Sequence, residues 1–271
     1  MGPPASANGP VVAKLGGSLL TRKREVEKPR PKVLHRLAEE LASVGPVPLV
    51  VLHGAGSFGH PSAARFGLAR PPERGRPAAE RLRGGSIVAA EVRRLHLAVL
   101  RELVAAGLAP WSVPLANAAR NRGGQLASLD ATAFDRVLAA GGVPVSFGDV
   151  VPDEAWGLSI LSADTAAVEL AARLGARRVV FATDVPGVLE GPAGRRRPVV
   201  PEVTEATVAR VRPGPGAVDV TGGIRAKLEA MLAVARAGAD AVLISGLTDG
   251  ALSRAVRGEA VYGSWAHARA P

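Results

Sequence analysis

The sequence predicts an α/β protein, a three-layer α/β/α sandwich with a mainly parallel central sheet. Three observations lead there. Short apolar runs alternate with amphipathic stretches at the spacing of successive strand–helix units. The apolar runs are continuous rather than alternating, as expected of strands covered on both faces. Several of them end in glycine-rich turns, where an open α/β sheet places its ligands.

The elements follow in chain order. Val11–Leu15 reads as the first strand and runs straight into Gly16, Gly17 and Ser18. A helix is expected over Pro31–Ser43, and a second buried strand over Pro48–His53 ends at the loop GAGSFGHP, residues 54–61. Residues 69–85, ARPPERGRPAAERLRGG, read as a mobile loop with at most a short helical piece, and helix resumes over Ile87–Ala106. Leu108–Pro114 and Val143–Phe147 read as strands, with a helix over Leu129–Ala140 between them, preceded by a glycine-rich segment. Ser162–Leu174 has a helical pattern, and the strand Arg178–Ala182 leads into TDVPG at 183–187. In DVTGGIRAKLEAMLAVARAGA, residues 219–239, a helix is expected from Gly223 or Ile224 to Ala237, stopped by Gly238. The strand Ala241–Ser245 follows, and a last short strand is expected over Ala255–Val261.

No low-complexity linker divides the chain, so one domain is expected over residues 1–271. Its substrate-binding half, 11–160, and nucleotide-binding half, 161–262, are expected to share one continuous sheet, after a short disordered tail at 1–10. The apolar content of 47% with only 3% aromatics implies a core of Ala, Val and Leu.

The net charge of +10 comes from 34 basic and 24 acidic residues, with runs at Arg22–Lys32, Arg65–Arg83 and Arg195–Arg197. No aromatic-interleaved basic stripe, finger or helix-turn-helix pattern accompanies it. The charge therefore suits small anionic substrates rather than nucleic acid. Cysteine is absent, which excludes disulfide stapling and thiol catalysis. The five histidines are scattered and give no zinc set, and no metal-binding residue is assigned. The opening MGPPASANGP is too polar for a signal peptide, and no apolar run is long enough to cross a bilayer. A cytoplasmic protein without a membrane partner is expected.

Four motifs lie at strand ends or helix starts. AKLGGS, 13–18, has neither Walker nor Rossmann spacing, yet Gly16 and Gly17 permit close backbone approach while Ser18 and Lys14 add a hydroxyl and a charge. An ordinary strand–helix turn with a solvated lysine would look the same. In GAGSFGHP the glycines let N–H groups converge on an anion, Pro61 can open a helix, and His60 can donate to a phosphate oxygen. The alternative for His60 is a structural bond to backbone, and His53 at the strand end reads as structural. In LSADTAA, 161–167, Ser162 can cap a helix with Asp164 in its first turn. Asp164 serves either that cap or the pairing of catalytic lysines. In DVTGGIRAK, 219–227, Lys227 falls one turn after Gly223 on the same helix face, where it can reach a phosphate at the helix entrance.

Together these pieces suit phosphoryl transfer to an acceptor that is already anionic, so that no general base is required. Taken in order and spacing, AKLGGSLLTRK, HGAGSFGHP, GDVVPD, WGLSILSAD, TDVPGV and DVTGGIRAK resemble the amino acid kinase superfamily, and within it the isopentenyl phosphate kinases, from about Val11 to Val261. The resemblance implies Mg²⁺-ATP-dependent phosphorylation of isopentenyl phosphate to isopentenyl diphosphate, by a protein that forms homodimers. It implies that His60 binds the acceptor phosphate and that Lys14 and Lys227 contact ATP phosphates. Lys23 would stabilise the transferring group, and Asp164 would organise the lysines. Gly16, Gly17, Ser18, Gly56, Asp184 and Gly223 would line the nucleotide side, with Ala55, Gly59 and Gly157 near the acceptor. The sequence departs from the family pattern at Ala55, where a glycine is usual, at Ala163–Thr165, where Gly-Asp-Asp is usual, and in the Pro/Arg-rich stretch 69–85. Fosfomycin kinase is the rival within the fold, and a non-catalytic nucleotide sensor is the rival of another class. The apolar run in Ile87–Leu100 could line a hydrocarbon tunnel or bury a helix.

Overall fold

The computed structural model describes residues 9–22, 25–73, 75, 77–189, 198–210 and 223–268. Strand β1 (Val11–Leu15) leads through a short helical turn, α1 (Gly17–Leu20), to α2 (Pro31–Ala42), then to β2 (Leu49–His53). After β2 come α3 (His60–Arg65), the long α4 (Ala78–Ala105) and β3 (Pro110–Ser112). The turn α5 (Leu115–Ala118) precedes β4 (Ala119–Arg122), β5 (Gln125–Leu129) and α6 (Thr132–Ala139). Strands β6 (Val143–Phe147), β7 (Asp149–Asp153) and β8 (Gly157–Leu161) lead into α7 (Ala163–Arg173) and β9 (Arg178–Thr183). The described chain then forms α8 (Glu205–Arg210), α9 (Gly223–Arg236), β10 (Asp240–Ser245), α10 (Ala251–Arg257) and β11 (Gly263–Ala266).

Seven strands form the central sheet in the order β11-β10-β9-β1-β2-β6-β3, parallel except for β11. Because side chains alternate along a strand, each central strand feeds two cores. Val12, Val50, Leu52, Val179, Phe181 and Leu243 pack on one face beneath α6, α7 and α9, with Phe134, Ala167, Leu170 and Leu228. Val11, Ala13, Leu15, Val51, Val180 and Ile244 pack on the other beneath α2, α4 and α10, with Leu37, Leu41, Leu103 and Val256. The three-layer architecture follows from this two-sided burial, and the expected boundaries of β1, β2, β6, α2, α7 and α9 hold to within one residue.

The seven-stranded sheet runs through both 11–160 and 161–262, as expected of a shared sheet, but it is not the only sheet among the described residues. A second, four-stranded sheet, β5-β4-β7-β8, is built from two hairpins. The first turns on Gly123 and Gly124, both at positive φ (60° and 79°), the conformation a two-residue turn of primed type requires. Asp153 ties the hairpins together by accepting hydrogen bonds from the N–H groups of Gly123, Gly124, Ala155 and Trp156. Burial opposes its ionisation, but these donors and Ser159 outweigh burial and hold its pKa down at about 2.

Three other expectations are corrected. Residues 78–85 of the stretch expected as loop are helical: α4 starts at Ala78, nine residues before the expected Ile87. Gly84 and Gly85 lie inside that helix because a Cβ there would come 2.4 Å from the Phe66 ring and 2.8 Å from Leu158. Arg81, buried, donates to the carbonyls of Gly67, Leu68 and Leu158 and holds the preceding turn. The strand expected at Ala255–Val261 instead begins in the last turn of helix α10, which buries Leu252, Ala255 and Val256 and is stopped by Gly258 at φ 86°; the last strand, β11, starts at Gly263, two residues after the expected end. Of the expected disordered tail, Gly9 and Pro10 are buried, and the Pro10 carbonyl accepts from the Arg177 N–H. Residues 1–8 and the run Arg195–Arg197 lie outside the described residues. Among the described residues, no helix is long and apolar enough to cross a membrane.

Candidate active site

Strand β1 has β9 on one side and β2 on the other, so three loops converge at their carboxyl ends: Gly16–Ser18, Gly54–His60 and the turn after Thr183. The first two touch backbone to backbone. A Cβ on Gly17 would lie 2.3 Å from the Gly56 nitrogen, and one on Gly56, which sits at φ 53°, would lie 2.5 Å from the Gly17 oxygen. The Thr21 hydroxyl fixes the contact by accepting from the Ser57 N–H at 2.9 Å while donating to the Gly17 carbonyl at 2.8 Å. Gly54 N–H donates to the Leu15 carbonyl. These contacts are what the glycines of both motifs are for.

The loops open onto a cavity of about 580 Å³. Its polar end is lined by Lys14, Gly16, Gly17, Ser18, Asp164, Asp184 and Lys227, and by the start of α7 at Ser162 and Ala163. Ser162 caps α7 by accepting from the Thr165 N–H at 3.0 Å, with the Thr165 hydroxyl 2.8 Å away. Both readings of LSADTAA are therefore realised, the cap by Ser162 and the pairing by Asp164. Lys14 Nζ lies 2.8 Å from Asp164 Oδ1 as an ion pair, and Lys227 Nζ donates to Oδ2 at 2.8 Å.

Electrostatics follow from this triad. Burial pulls Lys14 down from 10.5 to about 8; Asp164 opposes the drop and Lys227 adds to it. Burial alone would raise the Asp164 pKa, but Lys14 and then Lys227 overcome it and hold the carboxyl far below the usual range. At this end the two ammonium groups face two carboxylates, Asp164 between them and Asp184 in the turn after β9, so the formal charges balance and an anion is met by the lysines together with the amino ends of α1, α7 and α9. Ser18 donates to Asp184 Oδ1 at 2.8 Å and Thr183 does so at 3.2 Å, joining the first loop to the β9 turn.

The opposite end is apolar. Ala55, Ala63, Val88 and Val92 form a packed cluster there with Ile160 against it, and all five line the cavity. His60 stands with this wall at the first residue of α3, followed by Pro61 in the first turn as the motif required. Gly59 is pressed so close to α4 that a Cβ would meet Val92 at 2.8 Å and Ala55 at 2.9 Å.

Of the residues singled out in the sequence, the structure gathers Lys14, Gly16, Gly17, Ser18, Ala55, Gly56, Gly59, His60, Asp164, Asp184 and Lys227 around this one cavity. Gly223 opens α9 one turn before Lys227. Gly157 stands apart: it lines a neighbouring apolar cavity of about 550 Å³ with Phe66, Trp156 and Leu158. Lys23 and residues 219–222 lie outside the described residues.

Asp149 and Arg93 were not anticipated. Asp149, almost fully buried under the cavity, takes both Arg93 Nη atoms at 3.2 Å and the N–H groups of Ala116 and Val150. Its pKa is raised by burial, with Arg93 opposing. The GDVVPD motif carried the aspartate, but nothing in the sequence tied it to an arginine in α4. Among the described residues, no cluster of three metal-ligating side chains is present. Asp149, Asp164 and Asp184 are committed to protein donors, so a divalent ion fits this site only as a partner of bound phosphates.

The description "Amino acid kinase family" belongs to the family model that matches residues 9–245. The chain is 31% identical over 262 residues to the isopentenyl phosphate kinase of Methanothermobacter thermautotrophicus, covering 94% of this chain and 97% of that one. It is 40% identical over 227 residues to the isopentenyl phosphate kinase of Haloferax volcanii, covering 83% and 88%. An X-ray structure of an isopentenyl phosphate kinase superposes with a TM-score of 0.82 at 28% identity, over 94% of this chain and 99% of that one. With its glycine loops locked together over a Lys–Asp–Lys triad, the chain belongs to the amino acid kinase family and stands among its isopentenyl phosphate kinases.

Proposed function

We propose that this chain transfers the γ-phosphoryl group of ATP to isopentenyl phosphate, giving isopentenyl diphosphate and ADP. One observation carries the substrate: one cavity is lined by the lysine pair and by an apolar cluster, with His60 also in its lining. A five-carbon chain fits against Val88, Val92 and Ile160, whereas a small polar phosphonate such as fosfomycin would leave them uncovered.

The nucleotide phosphates occupy the polar end, cradled by the Gly16–Ser18 turn and met by Lys14 and Lys227. The acceptor phosphate lies at the Gly54–His60 loop, where His60 donates to one of its oxygens. An acceptor oxygen forms a bond to the γ-phosphorus as the bond to the ADP oxygen breaks. The acceptor is already anionic, so no proton has to be removed by the protein. The two ammonium groups offset charge on the transferring phosphoryl group, and Asp164 holds them in register. Mg²⁺, carried on the ATP phosphates, would supply further charge neutralisation. Lys23, from the same sequence motif as Lys14, belongs to the same proposal as a contact to the transferring group, and Gly157 as an acceptor-side residue.

A homodimer and a cytoplasmic setting complete the proposal. Leu97 and Val104, two turns apart on α4, and Trp111 on the edge strand β3 are exposed apolar side chains that a second copy could cover. The test of function is turnover: purified protein with Mg-ATP and, separately, isopentenyl phosphate, dimethylallyl phosphate, fosfomycin, UMP and acetylglutamate. Isopentenyl phosphate is expected to react fastest. Equal or faster use of fosfomycin would overturn the acceptor while keeping the transfer, and ATP binding without any turnover would favour a sensor.

A further inference from the structure

Two buried histidines lie beneath the acceptor loop and take no part in the transfer just described. His53 ends β2 with no exposed surface, and His96 on α4 is nearly as buried. The His53 ring stacks with those of His96 and Phe147, and the His96 ring lies tilted by 45° against Phe147, which is itself fully buried. His53 Nδ1 lies 3.2 Å from the Gly54 carbonyl oxygen, His53 Nε2 lies 3.0 Å from His96 Nδ1, and His96 Nε2 lies 2.8 Å from the Ser112 hydroxyl.

The direction of every bond in this chain can be worked out from one end. A carbonyl only accepts, so His53 Nδ1 carries the proton. The rings are neutral near pH 7, since burial pulls His53 down to about 4 and His96 down to about 3. The cations facing them reinforce this: Lys14 from β1 toward His53, and Arg93 from α4, itself paired with Asp149 of β7, toward His96. A neutral ring protonated at Nδ1 has a bare Nε2. His53 Nε2 therefore accepts from His96 Nδ1–H, and His96 Nε2 accepts from Ser112. Each donor points toward the Gly54 carbonyl.

That carbonyl belongs to the Gly54–Ala55 peptide, and both residues line the cavity. No cis peptide occurs among the described residues, and in a trans peptide the C=O and the following N–H point opposite ways. Glycine leaves this peptide free to rotate unless something holds it. We propose that His53, set in one tautomer by Ser112 through His96, is a positioning residue that anchors the Gly54 carbonyl inward and thereby presents the Ala55 N–H to the acceptor phosphate. The proposal rests on the acceptor site described above. It also gives the Ala55 position a role through its backbone, which a change of side chain from glycine does not remove.

The experiment has two arms. In ¹⁵N spectra of the unliganded full chain, His53 should show a protonated Nδ1 and a bare Nε2, and the Ala55 amide proton should shift when inorganic phosphate is added. A His53 protonated at Nε2, or an Ala55 amide unmoved by saturating phosphate, overturns the proposal whatever the natural acceptor is. In steady-state kinetics, His53→Leu should raise the KM for isopentenyl phosphate about 10-fold while leaving the KM for ATP within about twofold. His53→Asn, which returns an N–H near the Nδ1 position, should recover most of the loss, and Ser112→Ala, at a partly exposed site, should cost a few-fold. Equal loss toward both substrates, or no recovery in His53→Asn, indicates a structural role only. Failure of the native protein to use isopentenyl phosphate would count against the proposed function, with the spectroscopic arm still deciding this inference.

Discussion

Asp164 is the group whose removal tests the electrostatics most sharply. Asp164→Asn keeps the shape of the side chain and deletes the charge between Lys14 and Lys227, each 2.8 Å from one of its oxygens. With Asp164 present, burial already brings Lys14 from 10.5 to about 8, about 3 kcal/mol against its charged form. Without it, the stabilising contact is gone and the Lys227 repulsion remains, so the Lys14 pKa falls below 8. A lysine required in its protonated form loses activity as pH rises through its pKa. The basic limb of kcat/KM for ATP, expected near pH 8 in the native protein, should therefore move down by about one pH unit or more. Stability should drop by about 3 kcal/mol, the low end for breaking a buried ion pair because Asp164 retains 17% side-chain exposure. The sign fixes the pH range: Asp164 has a depressed pKa, so its contribution is full above about 3.8 and is lost as pH falls below that value. Urea unfolding at pH 7 and pH 3, with a pH–rate profile, measures both effects. A basic limb within 0.3 pH units (roughly) of native, together with a loss under about 1 kcal/mol, would refute the triad and mean that the lysines act as separately solvated charges.

Three further outcomes are expected. His60→Ala should weaken use of isopentenyl phosphate with little change in the KM for ATP, whereas Lys227→Ala should impair both, as steady-state kinetics with each substrate varied will show. Gly56→Ala places a Cβ 2.2 Å from the Thr21 hydroxyl at a φ of 53°, and should cost more than about 2 kcal/mol in thermal unfolding along with most activity. The buried histidines make the fold acid-sensitive. Between pH 6.5 and about 4 the unfolded chain takes up protons that folded His53 does not, so stability should fall by about 3 kcal/mol across that window from His53 alone. A flat urea midpoint between pH 7 and 4.5 would contradict it.

The parts of the fold that were legible are those where one local signal settled the matter. β1 and β2 are short, fully buried, mainly apolar runs closed by glycine, and recognising them needs no distant information. Lys14, Asp164 and Lys227 could be matched as partners because each sits at a strand end or in the first turns of a helix. The second sheet was hidden because Gly123-Gly124 lies in a polar stretch whose strands carry little apolar alternation, and only Asp153 reveals the link between its hairpins. The start of α4 was masked by Gly84 and Gly85, whose reason is the packing of Phe66 and Leu158 against them. His96 gave no signal at all, since its partner His53 lies 43 residues earlier on another element.

The central claim is that two phosphate-bearing ligands meet in one cavity, one held by lysines and the other by an imidazole. A crystal structure with isopentenyl phosphate and a non-hydrolysable ATP analogue tests it directly. The expected result has His60 within hydrogen-bond distance of the acceptor phosphate, the hydrocarbon against Val88 and Val92, and Lys14 and Lys227 on the nucleotide phosphates. An acceptor phosphate bound away from His60, or a nucleotide whose phosphates avoid both lysines, would contradict it.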